Sequence, residues 1–292
     1  MPKAPEPGIS SAAQPPAAAP PSAVRSVGDA RSAERERRVT AQGKWRVEER
    51  SAPCPGGLSV LRVYRPLGGD EPRAGLVFFH AGGFVTGDPA RHDALCGALC
   101  RDADLVVVSC GYRLAPEHRF PSAVDDAYFA SCFVHEHADE LGIDHRRLGI
   151  AGVEVGANLA ITVARLAKER RNPALQVQWL IAPALDLRVP ADPELAWAVE
   201  QYVRTPADRL DPRCSPLLAT NLIGLPPVVI TSRVYDDGRA FAGQLEMVQV
   251  PVQLIVHTGA AASFSDAPDA SLENRAALRE CVLALASALR AP

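Results

Sequence analysis

The period of hydrophobic and polar positions changes several times along the chain. Leu58–Tyr64 (LSVLRVY) alternates apolar and polar residues, which predicts a half-buried strand. Gly75–Phe79, Leu105–Ser109, Leu148–Ala151, Leu180–Ala182, Val228–Thr231 and Val252–Val256 are short apolar runs instead. Runs of that kind fit strands covered on both faces. Between several of them, Ala123–His137 and Ala157–Arg170 carry helical patterns. Buried strands interleaved with helices predict an α/β fold: a mostly parallel central sheet with helices on both faces.

The pattern begins late. Met1–Ala23 holds seven of the 26 prolines and seven alanines, six of each in the run PEPGISSAAQPPAAAPPSA. Such a stretch lacks the large apolar side chains that offset chain entropy. Its lack of a continuous apolar core after a basic start also argues against a secretory signal. Ala30–Val39 (ARSAERERRV) is charged, with almost no apolar face. Residues 1–44 are therefore expected to be a disordered leader, and residues 45–292 a single domain.

Composition narrows the class. The 292 residues include 31 basic and 34 acidic side chains, a formal charge of −3, and 47% are hydrophobic. Without a basic excess to neutralise phosphates, no nucleic-acid partner is expected. No apolar run reaches the roughly 18–20 residues of a membrane helix. Seven cysteines form no C-x-x-C pair, and no histidine has zinc-site spacing, so neither metal nor cofactor is expected. Scattered, reduced thiols suit a cytoplasmic protein. A homodimer remains open.

Two strand-to-loop junctions carry candidate chemistry. His80-Ala81-Gly82-Gly83-Phe84 follows an apolar run, and adjacent glycines there let backbone N–H groups turn toward a ligand. Gly152-Val153-Glu154-Val155-Gly156 joins a strand to a helix with the G-x-X-x-G spacing of a nucleophile elbow. The usual central serine is replaced by Glu154.

Around these loops, Tyr112–Asp126 (YRLAPEHRFPSAVDD), Leu141–Ala160 (LGIDHRRLGIAGVEVGANLA) and Arg213–Ala219 (RCSPLLA) resemble, in order, the motifs of hormone-sensitive-lipase-like α/β-hydrolases. The resemblance covers about Arg46 to the C-terminus. It implies an α/β-hydrolase fold and an acyl-transfer site of Ser, His and Asp with a backbone oxyanion hole. Carried over by position, the oxyanion donors are the N–H groups of Gly82, Gly83 and Val155. Glu154 takes the nucleophile position. Asp236 is the better match for the Asp and Asp237 the alternative. Ala262 falls where the His should stand, with His257 the nearest substitute base. The remaining histidines, His92 among them, are expected in solvated or capping roles, and Arg113 with Glu117 in a structural polar network. The resemblance also implies a reduced cap at about 186–213, with His80, Phe84, Trp197 and Tyr202 as candidate pocket residues.

Three functions follow from this mixture. The first is a non-hydrolysing pseudoenzyme that binds a small carbonyl or ester ligand, or a partner protein. The second is a lyase, isomerase or cyclase using Glu154 as general acid or base beside the oxyanion hole. The third is weak residual ester hydrolysis.

Overall fold

The computed structural model describes residues 26–27, 45–69, 71–232, 237–258 and 264–289. The expectation of a disordered leader lies almost wholly outside these residues. Eight strands form one sheet in the order β1-β2-β4-β3-β5-β6-β7-β8. They are β1 (Trp45–Cys54), β2 (Gly57–Pro66), β3 (Arg73–Phe79), β4 (Val106–Cys110), β5 (Ile143–Val153), β6 (Val177–Ile181), β7 (Val228–Ser232) and β8 (Val252–Val256). β1 pairs antiparallel with β2, and β2 antiparallel with β4, while every other neighbouring pair is parallel.

The helices are α1 (Asp93–Ala103), α2 (Ser122–Glu136), α3 (Val155–Arg170), α4 (Pro193–Tyr202), α5 (Asp237–Met247) and α6 (Leu272–Ala288). Side-chain alternation along the strands sorts them into two layers. In β3, Val77 and Phe79 join the core formed with α2, α3 and α5. Leu76 and Phe78 face the other way, into the core formed with α1 and α6. A sheet buried on both faces explains why β3 and β4 read as unbroken apolar runs.

The crossovers place the ends of β3, β4, β5, β6 and β8 along one edge of the sheet. In such sheets ligands bind in loops beyond the carboxyl ends of the strands. Between β6 and β7 the chain adds α4 and a 3-10 turn over Pro206–Leu210. Asp192 caps α4 by accepting the Leu195 N–H at 2.8 Å, with Pro193 at the first helical position. Among the described residues no helix is long and apolar enough to cross a membrane.

Candidate active site at the β5–α3 elbow

Glu154 joins β5 to α3 with φ 53° and ψ −112°. A non-glycine residue there costs roughly 1–3 kcal/mol and persists only where its surroundings over-determine it. Four hydrogen bonds do so. Its N–H donates to the Ile181 carbonyl at 2.9 Å, and its carbonyl accepts from the N–H groups of Ala157, Asn158 and Ala184 at 3.1, 3.2 and 3.3 Å. The flanking glycines are sterically required. A Cβ on Gly152 would lie 2.2 Å from the Gly156 carbonyl, and one on Gly156 2.2 Å from the Phe79 oxygen. The elbow is thus fully formed around an exposed glutamate.

The loop after β3 supplies the facing wall. Gly82 and Gly83 have φ +126° and +63°. The Gly82 carbonyl accepts from the N–H groups of Val85 and Thr86 at 3.0 and 2.9 Å, closing a tight turn. Among the described residues, neither the Gly82 nor the Gly83 N–H donates a hydrogen bond. His80 is buried and stacks on Tyr112 with ring centroids 4.2 Å apart. Its Nδ1 lies 2.8 Å from the Ala81 carbonyl, and the Tyr112 hydroxyl donates to the His80 carbonyl at 2.9 Å. Burial pushes the His80 pKa down to about 3, so the ring is neutral. The Tyr112 hydroxyl is pushed well above its ordinary range, first by burial and then by the charge of Glu154.

Of the two aspartates considered for the orienting role, Asp237 is described and Asp236 is not. Asp237 Oδ2 accepts from the backbone N–H groups of Leu185 and Asp186 at 2.6 and 2.8 Å. It ties the head of α5 to the segment after β6. Ala262 also lies outside the described residues. His257 follows β8 on the side of Ile255, which faces α6. Its ring packs edge-on against Phe264 at 5.7 Å, and its buried Nε2 has no hydrogen-bond partner among the described residues. Burial lowers its pKa, while Glu280 acts in the opposite direction.

The candidate pocket residues pack largely on one another. Phe84 and Tyr202 are buried and stacked at 3.8 Å, with Phe120 edge-on to Tyr202 at 5.8 Å. Trp197 is partly buried against the same core. A Cβ on Gly83 would sit 2.6 Å from that of Ala198, so α4 rests directly on the loop after β3. A cavity of about 240 Å³ opens beside the elbow, against the β1–β2 turn. Leu58, His80, Pro89, Tyr112 and Arg113 are in its walls, and Glu154, Gly82 and Gly83 are not.

The surroundings of His92 and Arg113 bear on two sequence expectations. His92 stands at the N-cap position of α1, but its side chain is buried and makes no capping bond; its Nε2 instead accepts the Ala81 N–H at 3.3 Å. Its position just before a helix gave no signal of this. Arg113 has Asp126 as its ion-pair partner, with Nε and Nη2 each 2.8 Å from the carboxylate. Among the described residues there is no cluster of side chains suited to a metal.

The architecture is matched by a family model for the alpha/beta hydrolase fold, over residues 76–265. The chain belongs to this family. Among named relatives, carboxylic ester hydrolase LipN of Mycobacterium tuberculosis is 39% identical over 71% of this chain and 61% of its own. The match therefore spans about three fifths of that relative's length. An ethyl acetate hydrolase of Pseudomonas putida is 40% identical over 72% of each chain. The Pyrobaculum calidifontis esterase structure superposes with a TM-score of 0.82 at 32% identity, covering 90% of this chain and 93% of that one. The hormone-sensitive-lipase-like resemblance thus holds at the level of the family: the chain is an esterase-like α/β-hydrolase.

Proposed function

We propose that this protein binds a small ester or carbonyl ligand at the β5–α3 elbow without hydrolysing it, the covalent machinery of its esterase relatives having been replaced. The observation that carries this reading is Glu154 itself, held in the nucleophile's backbone conformation by four hydrogen bonds. A carboxylate attacking an ester would have to expel an alkoxide and leave a mixed anhydride. That product is a better acyl donor than the ester, so the step runs uphill without an activated water to drain it. The site of such a water's base falls at Ala262, and the nearest histidine, His257, packs toward α6. The retained half is the oxyanion loop, whose Gly82 and Gly83 N–H groups suit a carbonyl oxygen. The name of one relative, an ethyl acetate hydrolase, favours a short-chain ester as the ligand class. Seven free thiols, six of them buried, support a reducing, cytoplasmic setting.

The test compares the wild-type chain with Glu154→Gln and with Glu154→Ser combined with Ala262→His. The wild type is expected to turn over p-nitrophenyl butyrate no faster than Glu154→Gln, while ethyl butyrate shows saturation transfer from the protein in solution NMR. The double substitution is expected to raise turnover at least a hundredfold. Wild-type turnover that drops a thousandfold in Glu154→Gln would overturn the proposal.

One observation favours a second reading. The charge of Glu154 acts on the buried Tyr112 hydroxyl, and among the described residues the Gly82 and Gly83 N–H groups donate to no partner. That set suits proton abstraction next to a carbonyl, with the enolate held by the loop. Deuterium exchange into cyclohexanone, lost in Glu154→Gln, would select it.

A further inference from the structure

His92 belongs to none of the motifs that mark the site, yet it joins two loops at the sheet's carboxyl edge. Ala81, which precedes Gly82, donates its N–H to Nε2 at 3.3 Å. Nδ1 lies 3.3 Å from the carbonyl of Ser265, a residue 173 positions away in the segment after β8. An amide N–H only donates and a carbonyl only accepts. The two contacts are therefore compatible with a single state of the ring: neutral, with the proton on Nδ1. Phe78 fixes the ring plane edge-on at 5.6 Å, and the side chain has no exposed surface. The nearest acid, Asp266, is 3.9 Å from Nδ1 and equally close to Arg91, whose charge offsets its pull on the ring proton.

We infer that His92 is a positioning residue for the oxyanion loop, a tautomer-locked bridge that holds Ala81–Gly83 in register with the segment following β8. Ser265 is the neighbour of Phe264, which stacks on Trp179 and packs on His257. Through one imidazole, the backbone beside the N–H donors is thus referenced to the α6 side of the sheet. The bridge goes beyond the proposed function and does not depend on it, because a site that binds and a site that turns over both need those N–H groups aligned.

Two measurements test the bridge without any ligand. In ¹⁵N NMR of the whole protein at pH 7, His92 is expected to show a protonated Nδ1 and a bare Nε2. The opposite tautomer, or a cation, overturns the inference whatever the variants do. Hydrogen exchange is then followed by mass spectrometry in peptides spanning 81–86, 265–270 and, as control, 155–170. His92→Phe is expected to speed exchange at least tenfold in the first two peptides and leave the third unchanged. The Oε1 of His92→Gln reaches the place of Nε2 and should restore 81–86 alone. The Nδ2 of His92→Asn replaces Nδ1 and should restore 265–270 alone. An equal rise in all three peptides in His92→Phe marks a general packing role and overturns the bridge, as does an unchanged 81–86.

Discussion

At the scale of single residues, the elbow asks for absent atoms rather than for particular side chains. Gly156 has two carbonyl oxygens, of Phe79 and His80, at 2.2 and 2.6 Å from where a Cβ would stand. Both belong to backbone that cannot swing aside. Gly156→Ala is therefore expected to lower stability by about 2–3 kcal/mol, at the upper end of overpacking costs. It should do so even if the protein has no catalytic activity to lose. Gly243, inside α5, has nothing within 4 Å of the same construction and no left-handed backbone. Gly243→Ala should raise stability by about 0.5–1 kcal/mol through helix propensity and a less disordered unfolded chain. Urea unfolding of both variants checks the pair, and midpoints that move in the same direction would contradict the steric account of the elbow.

At the scale of elements, what the sequence pattern revealed depended on how deeply each element is buried. β3, β4 and β7 are found within two residues of their apolar runs, because burial on both faces forces continuous apolar sequence; β8 also matches its run over Val252–Val256, although at this edge only Ile255 is buried. β1 left no such trace. It is an edge strand of mostly exposed residues, including Arg46, Glu49 and Arg50, held by ten register partners in β2. The site divides the same way. The glycines Gly82, Gly83, Gly152 and Gly156 were legible because their backbone leaves no room for a Cβ, whereas nothing local demands the side chains of Glu154 and Val155. The contacts of Asp237 left no local trace either, since the N–H groups it accepts lie at Leu185 and Asp186. Arg113 and Asp126 were another such pair, joining the loop after β4 to the first turns of α2. Asp126 is buried, accepts from Arg113 at three atoms, and leaves the guanidinium little other satisfaction. Breaking a buried pair from one side typically costs about 3–5 kcal/mol. With Arg113 about a quarter exposed, Asp126→Asn should cost nearer 2–3 kcal/mol, read as a lower thermal midpoint. A shift under one degree would mean the loop is held by other contacts.

At the scale of the whole molecule, the site rests on two fully buried neutral histidines, and this couples the fold to acidity. His80 and His92 both have pKa values near 3, chiefly because burial disfavours the cation, with Arg91 adding repulsion in each case. In the unfolded chain both titrate near 6.5. Between about pH 6 and pH 4 the unfolded state therefore binds two more protons than the native state. Stability is complete above pH 6.5 and falls as pH drops, by roughly 2.7 kcal/mol per unit when both groups contribute fully. His135 and His257 are pushed in the same direction by burial and steepen the loss. The expected result is a urea midpoint that is flat from pH 8 to 7 and collapses between 6 and 4. His92→Gln removes one titrating group and should reduce the slope in that window by roughly 1.4 kcal/mol per pH unit, even where it lowers stability at neutral pH. If the variant keeps the wild-type slope, His92 is already protonated in the native protein. The Ala81 N–H would then face a proton in place of a lone pair, and the geometry of the loop after β3 would need another support.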